Sequence, residues 1–144
     1  MSRVPDAAAV RAAVQAVAPW LDDTDDTDDD TGGAHPAGAG GSVPKPGRSA
    51  LAAAVRGTVG ILAAELPGGA VEVRVPPFAA VQCVEGPRHT RGSPPNVVET
   101  DARTWLQLAT GRLTWDAAVS RGRVRASGTR AAAVAAGLPV VRAT

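Results

Sequence analysis

Val71-Glu72-Val73-Arg74-Val75-Pro76-Pro77-Phe78-Ala79-Ala80-Val81-Gln82-Cys83-Val84 is the stretch that decides the class of fold. Its first five residues alternate, with the valines pointing one way and Glu72 and Arg74 the other, which is the period of two of a half-buried strand. Pro76 and Pro77 offer no backbone N–H to a ladder and break the alternation, so the chain bends there or runs along an edge. Residues 78–84 read as a second, more continuously apolar strand, and their closeness in sequence makes them an antiparallel neighbour of the first.

Immediately upstream the period changes to that of a helix. Leu51, Val55, Val59, Leu62 and Leu66 gather on one stripe, with Ser49 as the expected N-cap and Pro67-Gly68-Gly69 closing the segment. Gly57 and Gly60 lie inside that helix. Each costs up to about 1 kcal/mol there, so another backbone or a ligand is expected to come close.

Further upstream, residues 22–47 begin with Asp22-Asp23-Thr24-Asp25-Asp26-Thr27-Asp28-Asp29-Asp30 and continue in glycine, alanine and proline. Like charges repel and little is available to bury, so this segment reads as a linker. A calcium loop of the EF-hand kind is the alternative for such a run. It requires a glycine at the sixth position and a closing glutamate, whereas Gly32 and Gly33 are followed by Ala34, His35 and Pro36, with no glutamate before Glu65. Residues 1–21 read as a separate amphipathic helix: Asp6 is its N-cap or a first-turn acid, Val10, Val14 and Val17 share a face, Pro19 ends it, and Trp20 and Leu21 can pin that end to a core.

Downstream, residues 85–96 are mainly Gly, Pro, Arg, His, Ser and Thr, a loop of the length that function often explains. A short strand follows over residues 97–99. Thr100 or Asp101 caps a helix presenting Trp105, Leu108 and Ala109, which ends at Gly111; Thr114 caps a second helix through Trp115 and Val119 to Gly122. Val124 and Ala126 alternate with Arg123, Arg125 and Ser127 as a last strand, Gly128 turns the chain, and Thr129 caps an alanine-rich helix closed by Gly137. The order from residue 48 is helix, three strands, two helices, strand and helix. It predicts an α/β (α+β) domain over residues 48–144, a mixed, mainly antiparallel sheet covered by helices on one side.

Composition narrows the function. The chain of 144 residues carries a formal net charge of +1, which conceals a division: residues 1–47 hold three basic and eight acidic groups, residues 48–144 twelve basic and six acidic. A basic domain suits an anionic ligand, a membrane surface or nucleic acid. Nucleic acid is disfavoured because the arginines are spread through strands and helices and stackable aromatics are scarce. No run of about 18 apolar residues predicts a membrane span, and no basic-then-apolar leader opens the sequence, so a cytoplasmic protein is expected. The single cysteine, Cys83, lies in an apolar segment and reads as a small buried hydrophobe suited to a reducing compartment.

Thr100-Asp101-Ala102-Arg103-Thr104-Trp105-Leu106-Gln107-Leu108-Ala109-Thr110-Gly111-Arg112-Leu113-Thr114-Trp115-Asp116-Ala117-Ala118-Val119, followed by Gly122-Arg123-Val124-Arg125-Ala126-Ser127-Gly128, resembles the C-terminal part of the sterol carrier protein superfamily, and more closely its small actinobacterial members. In that family a strand feeds a helix ending in a small-x-Gly-Lys/Arg-Leu turn, a short second helix follows, and a Gly-x-aliphatic strand reaches a second glycine. The chain meets these in order, and departs where Thr129 stands in place of the Asp that often follows that glycine. The resemblance covers about 40 residues tightly and residues 48–144 loosely.

The resemblance implies a sheet with helices over an apolar tunnel for a fatty acyl chain, an acyl-CoA thioester or a sterol; with two histidines, one cysteine and no tyrosine in the chain, no cofactor and no metal are expected. Leu51, Val55, Leu62, Phe78, Val81, Trp105 and Leu108 are the candidate wall, although each also serves a plain core. Arg88, His89 and Arg91 in the long loop are candidates for a carboxylate or phosphate head group, because guanidinium groups bind such anions bidentately. Similar carrier-like domains occur fused to mycothiol-dependent isomerases and transferases, whose helical partner domain supplies three histidines to a metal; this chain holds two histidines in all. A Cys83, His89 and Asp101 triad can be written down, with no signature joining its members. The remaining class is an interaction module that docks on a protein partner, with the acidic tether setting its reach.

Overall fold

The computed structural model describes residues 4–23, 43–86 and 96–141. In chain order the elements are α1 (Ala7–Leu21), α2 (Arg48–Glu65), β1 (Val71–Val75), β2 (Ala79–Cys83), β3 (Val97–Thr100), α3 (Ala102–Ala109), α4 (Trp115–Ser120), β4 (Val124–Ser127) and a terminal 3-10 helix (Ala131–Gly137). The described strands form one sheet in the order β2-β1-β3-β4. β1 and β2 pair antiparallel with Val73 opposite Val81, and β3 and β4 pair antiparallel with Glu99 opposite Arg125. The central pair β1 and β3 is parallel, with Val73 opposite Val98. The sheet is therefore mixed and mainly antiparallel, and the fold is α+β.

The alternation read in the sequence sorts the two faces. Val71, Val73, Val75 and Val98 are buried beneath the helices, while Glu72, Arg74, Gln82, Glu99 and Arg125 face outward, half-buried or exposed. Glu72 and Arg74 form an ion pair on that outer side at 2.6 Å. β2 is less continuously apolar than expected, since Ala80 and Gln82 are exposed and only its other face packs. Pro76 and Pro77 occupy the bend between β1 and β2, where the Phe78 N–H donates to the Val75 carbonyl at 2.9 Å.

Several element ends differ from the sequence reading for identifiable reasons. Asp6 caps α1 as expected, but the helix runs through Pro19 to Leu21. Pro19 and Gln15 are both exposed, so the Gln15 carbonyl that loses its donor faces water, and the last turn is held by the Asp22 N–H on the Ala18 carbonyl at 2.9 Å. α2 starts at Arg48 with Gly47 as N-cap and no side-chain cap, so Ser49 lies inside the helix. Asp101 caps α3, and Thr100 instead ends β3, donating its hydroxyl to the Arg123 carbonyl at 2.8 Å. The last helix is 3-10, begun at Arg130 rather than Thr129: Ala131, Val134 and Gly137 are its buried residues, and a repeat of three puts them in one row against the core. Gly111 and Gly122 do take the left-handed conformation that ends α3 and α4, at φ +80° and +70°.

The core lies between α2, α3 and the inner face of the sheet. Trp105 is its largest side chain and is 1 % exposed. Its indole N–H donates to the Thr58 hydroxyl at 2.8 Å, and that hydroxyl donates within its own helix, nearest the Ala54 carbonyl at 2.7 Å. Every polar atom of the pair is thereby met in a site without water access. Thr58→Val keeps the shape and leaves the indole N–H unmet; it is expected to lower stability by about 1–3 kcal/mol in equilibrium urea unfolding, whereas Thr58→Ser should fall well short of that loss.

Candidate functional site

Five of the seven apolar candidates meet. Leu51, Val55 and Leu62 from α2 and Trp105 and Leu108 from α3 belong to one buried cluster over the valines of β1, with Phe78 and Val81 half-buried at its margin beside the β1–β2 bend. The packing is close. A Cβ placed on Gly137 would lie 2.6 Å from Leu62 Cδ1, so the 3-10 helix rests directly on the end of α2. Two open depressions of the described surface lie elsewhere. One, of about 570 Å³, is lined by Gly68, Gly69, Glu85 and Gly86; the other, of about 530 Å³, crosses the outer sheet face beside Arg74, Glu99 and Arg125. Neither is lined by any of the apolar candidates.

Arg88, His89 and Arg91, the candidate head-group residues, lie outside the described residues. Around the ends of their loop the structure places a residue the sequence did not single out, Asn96. Its side chain is buried, donates to the Ala70 carbonyl at 2.9 Å and accepts from the Arg130 N–H at 2.9 Å, which ties β1 to the start of the 3-10 helix. Arg130 Nη2 in turn donates to the Glu85 carbonyl at 2.6 Å.

The triad that can be written from the sequence has little to work with among its described members. Cys83 is fully buried, and burial pushes its thiol up to about 11. The Asp101 carboxylate is engaged by the Thr104 N–H at 2.8 Å and the Thr104 hydroxyl at 2.9 Å as the cap of α3. Among the described residues no three His, Cys, Asp or Glu side chains gather as a metal site, and no helix is long and apolar enough to cross a membrane.

A polar constellation that the sequence did not reveal sits where α1 ends on α3. Arg112 donates through Nε and Nη2 to the two Asp22 carboxylate oxygens, at 2.6 and 3.2 Å. Arg103 donates through Nη2 to the Asp23 carbonyl at 2.6 Å and the Trp20 carbonyl at 3.4 Å, with its guanidinium 5.5 Å from the centre of the Trp20 ring. Across the same junction the Val43 N–H donates to the Asp23 carboxylate at 2.8 Å, so residues 23 and 43 are joined side by side. The hydrogen bond from Arg112, reinforced by its charge, holds the Asp22 carboxyl below its ordinary 3.8 against slight desolvation. The contacts of Arg103 and Arg112 span 80 to 90 positions of sequence, which is why spacing alone gave no sign of them.

Two measurements check this geometry. Cys83 should react with a thiol reagent only at the rate at which the protein unfolds, and at full speed in urea; rapid modification of the folded chain would contradict its burial. A carboxyl whose folded pKa is depressed contributes stability above its unfolded pKa and loses it as pH falls through the folded value. The Asp22–Arg112 contribution is therefore complete at neutral pH and lost below about pH 3.8. Asp22→Asn should flatten that part of the acid limb of the stability curve, read from urea melts between about pH 3 and 7.

Comparison with known proteins bears on residues 47–140, over which the family model described as bacterial SCP ortholog matches the chain. No curated protein matches it. The matched span takes in α2, the four strands, α3, α4 and the 3-10 helix, and leaves α1 outside. With about two thirds of its length matched in the order the fold requires, the chain belongs to the bacterial sterol-carrier-protein-like family.

Proposed function

We propose that residues 48–144 form a non-catalytic carrier domain that holds an apolar or amphipathic ligand, a fatty acyl chain, an acyl-CoA or a sterol-like lipid, with residues 1–21 as an appended helix and residues 22–47 as its acidic tether. The observation that carries this reading is the family match over residues 47–140, which spans the layer where Leu51, Val55, Leu62, Trp105 and Leu108 converge. Apolar side chains brought from two helices onto one sheet face are the lining that an acyl or sterol body requires, since its transfer from water is driven by area alone. The reading needs no cofactor. A reducing cytoplasm suits the unpaired Cys83.

Docking on a protein partner is the competing account, and the described surface favours it less. Its exposed large apolar side chains are Val4, Val43 and Val119, which stand on separate segments, whereas partner surfaces gather such residues into a patch above about 400 Å².

Native mass spectrometry of the full chain, offered oleate, oleoyl-CoA and cholesterol in turn, tests the proposal. A one-to-one adduct with at least one of them is expected, and organic extraction of protein purified from its own source should recover a lipid of the same class. A mass that remains that of the bare chain with all three, and an empty extract, would overturn carriage and leave the interaction module.

A further inference from the structure

We propose that the groove between α2 and α3 in which α1 lies is itself the ligand site, and that α1 fills it as an internal stand-in for a single-chain amphiphile with an anionic head. This rests on the carriage reading and adds where the ligand lies, what it displaces and which residues take its head group.

The floor of the groove is unusual for a helix. Gly57 and Gly60 leave α2 without side chains at two positions of the face that α1 covers: a Cβ on Gly57 would lie 2.8 Å from Val10 Cγ2, and one on Gly60 2.6 Å from Pro5 Cγ. Glycine in a helix interior is destabilising relative to alanine, and α2 carries two. The slot they leave accepts the side chains of α1, and an extended hydrocarbon chain is slimmer still. With Pro5 at Gly60, Val10 at Gly57 and residue 23 beside residue 43, α1 runs antiparallel to α2 and its end reaches α3.

What α1 presents to this groove has the layout of an amphiphile. Val10, Val14, Val17 and Leu21 form one buried apolar stripe, about 16 Å long at the rise of a helix. The stripe ends in a carboxylate, that of Asp22, gripped by two donors of Arg112. Beside it Arg103 takes two backbone carbonyls of the same segment. Arg112 keeps a further donor, Nη1, buried with no hydrogen-bond partner among the described residues, while 18 % of its side chain remains accessible. A guanidinium holding one carboxylate at the mouth of an apolar slot, with a donor to spare, is a head-group site for a carboxylate or phosphate.

The remainder of the interior gives the second reason. The apolar candidates of α2 and α3 belong to one buried cluster, closed in the described structure by side chains of α1. Val17 and Leu21 of α1 belong to the same buried cluster as Leu51 and Leu108, so their withdrawal would vacate volume in that cluster for a chain. α1 lies outside the family match, adds no strand to the sheet, and would stay covalently attached through residues 24–42 on leaving its groove. Ligand and helix then compete for one groove, and the tether gives the helix a high effective concentration that the ligand must overcome.

Hydrogen exchange and binding of the full chain decide the matter, with oleate and its neutral methyl ester as probes. Saturating oleate should raise amide exchange across residues 7–21 while α3 keeps its protection. Asp22→Asn, which loosens the helix and leaves both arginines in place, should bind oleate about two- to fivefold more tightly, the range an exposed ion pair can supply. Arg112→Gln should remove the preference for oleate over the ester. Oleate binding with α1 fully protected, or with affinity unchanged in Asp22→Asn, overturns the displacement and leaves carriage standing. Failure of oleate, oleoyl-CoA and cholesterol to bind either the wild-type chain or Asp22→Asn overturns carriage and this site together.

Discussion

The hydrogen bond from the Trp105 indole to the Thr58 hydroxyl is the joint around which the domain is set. An indole N–H with no access to water must find an acceptor, and the one it finds lies on the neighbouring helix. That requirement fixes the rotation of α3 against α2, and with it the convergence of Leu51, Val55, Leu62 and Leu108. The chain on either side of α3 is constrained in turn. Once Trp105 points inward, the Asp101 cap and the Thr110–Gly111 exit set the paths of β3 and α4, and the Val140 and Val141 N–H groups close on the Ala109 carbonyl at 2.8 and 2.9 Å. A polar contact thus orients the apolar packing around it, because its geometry is directional and the hydrophobic effect is not.

Around that joint the chain builds a core with few large side chains. It holds three tryptophans, one phenylalanine and no tyrosine, so its density comes from close approach. Ala54, Ala109, Ala118 and Ala131 are buried, and Gly57, Gly60 and Gly137 each meet a neighbouring side chain within the space a Cβ would take. Close backbones leave slots where bulky residues would leave interlocked knobs. The sheet contributes an asymmetry of its own: one face is apolar and covered, while the other carries Glu72, Arg74, Glu99 and Arg125 toward solvent. An apolar ligand has business only on the helical side.

The parts of this fold that were legible in the sequence are those fixed by neighbours along the chain. The alternation of residues 71–75, the stripe from Leu51 to Leu62 and the caps at Asp6, Asp101 and Thr114 are local facts, and each stands in the structure where its spacing puts it. Gly57 and Gly60 announced a close approach, and α1 is what approaches. Illegible were the residues whose role depends on a distant partner. Thr58 and Asn96 look like ordinary polar residues until Trp105, Ala70 and Arg130 arrive beside them. Arg103 and Arg112 read as members of a helix and its terminating turn, yet they clasp the end of a helix that precedes them by some eighty residues. Pro19 misled because it stands in the last turn of α1, where the one hydrogen bond it removes leaves the Gln15 carbonyl exposed to water.

A carrier has to reconcile two demands that this architecture separates. Its domain must bury enough apolar surface to fold without a ligand, and it must expose enough to the ligand to bind it; a core that is permanently hollow serves the second at the expense of the first. An appended helix resolves the conflict when it covers the apolar slot in the empty state and yields it in the filled one. The strength of its hold then sets ligand affinity, since displacement subtracts the cost of undocking from the gain of binding. α1 is suited to a moderate hold. Its buried face is a narrow stripe of three valines and one leucine, and its end is fastened by an ion pair that water reaches. Because α1 adds no strand to the sheet and lies outside the family match, its undocking would leave the ladder of the sheet and the Trp105–Thr58 joint in place.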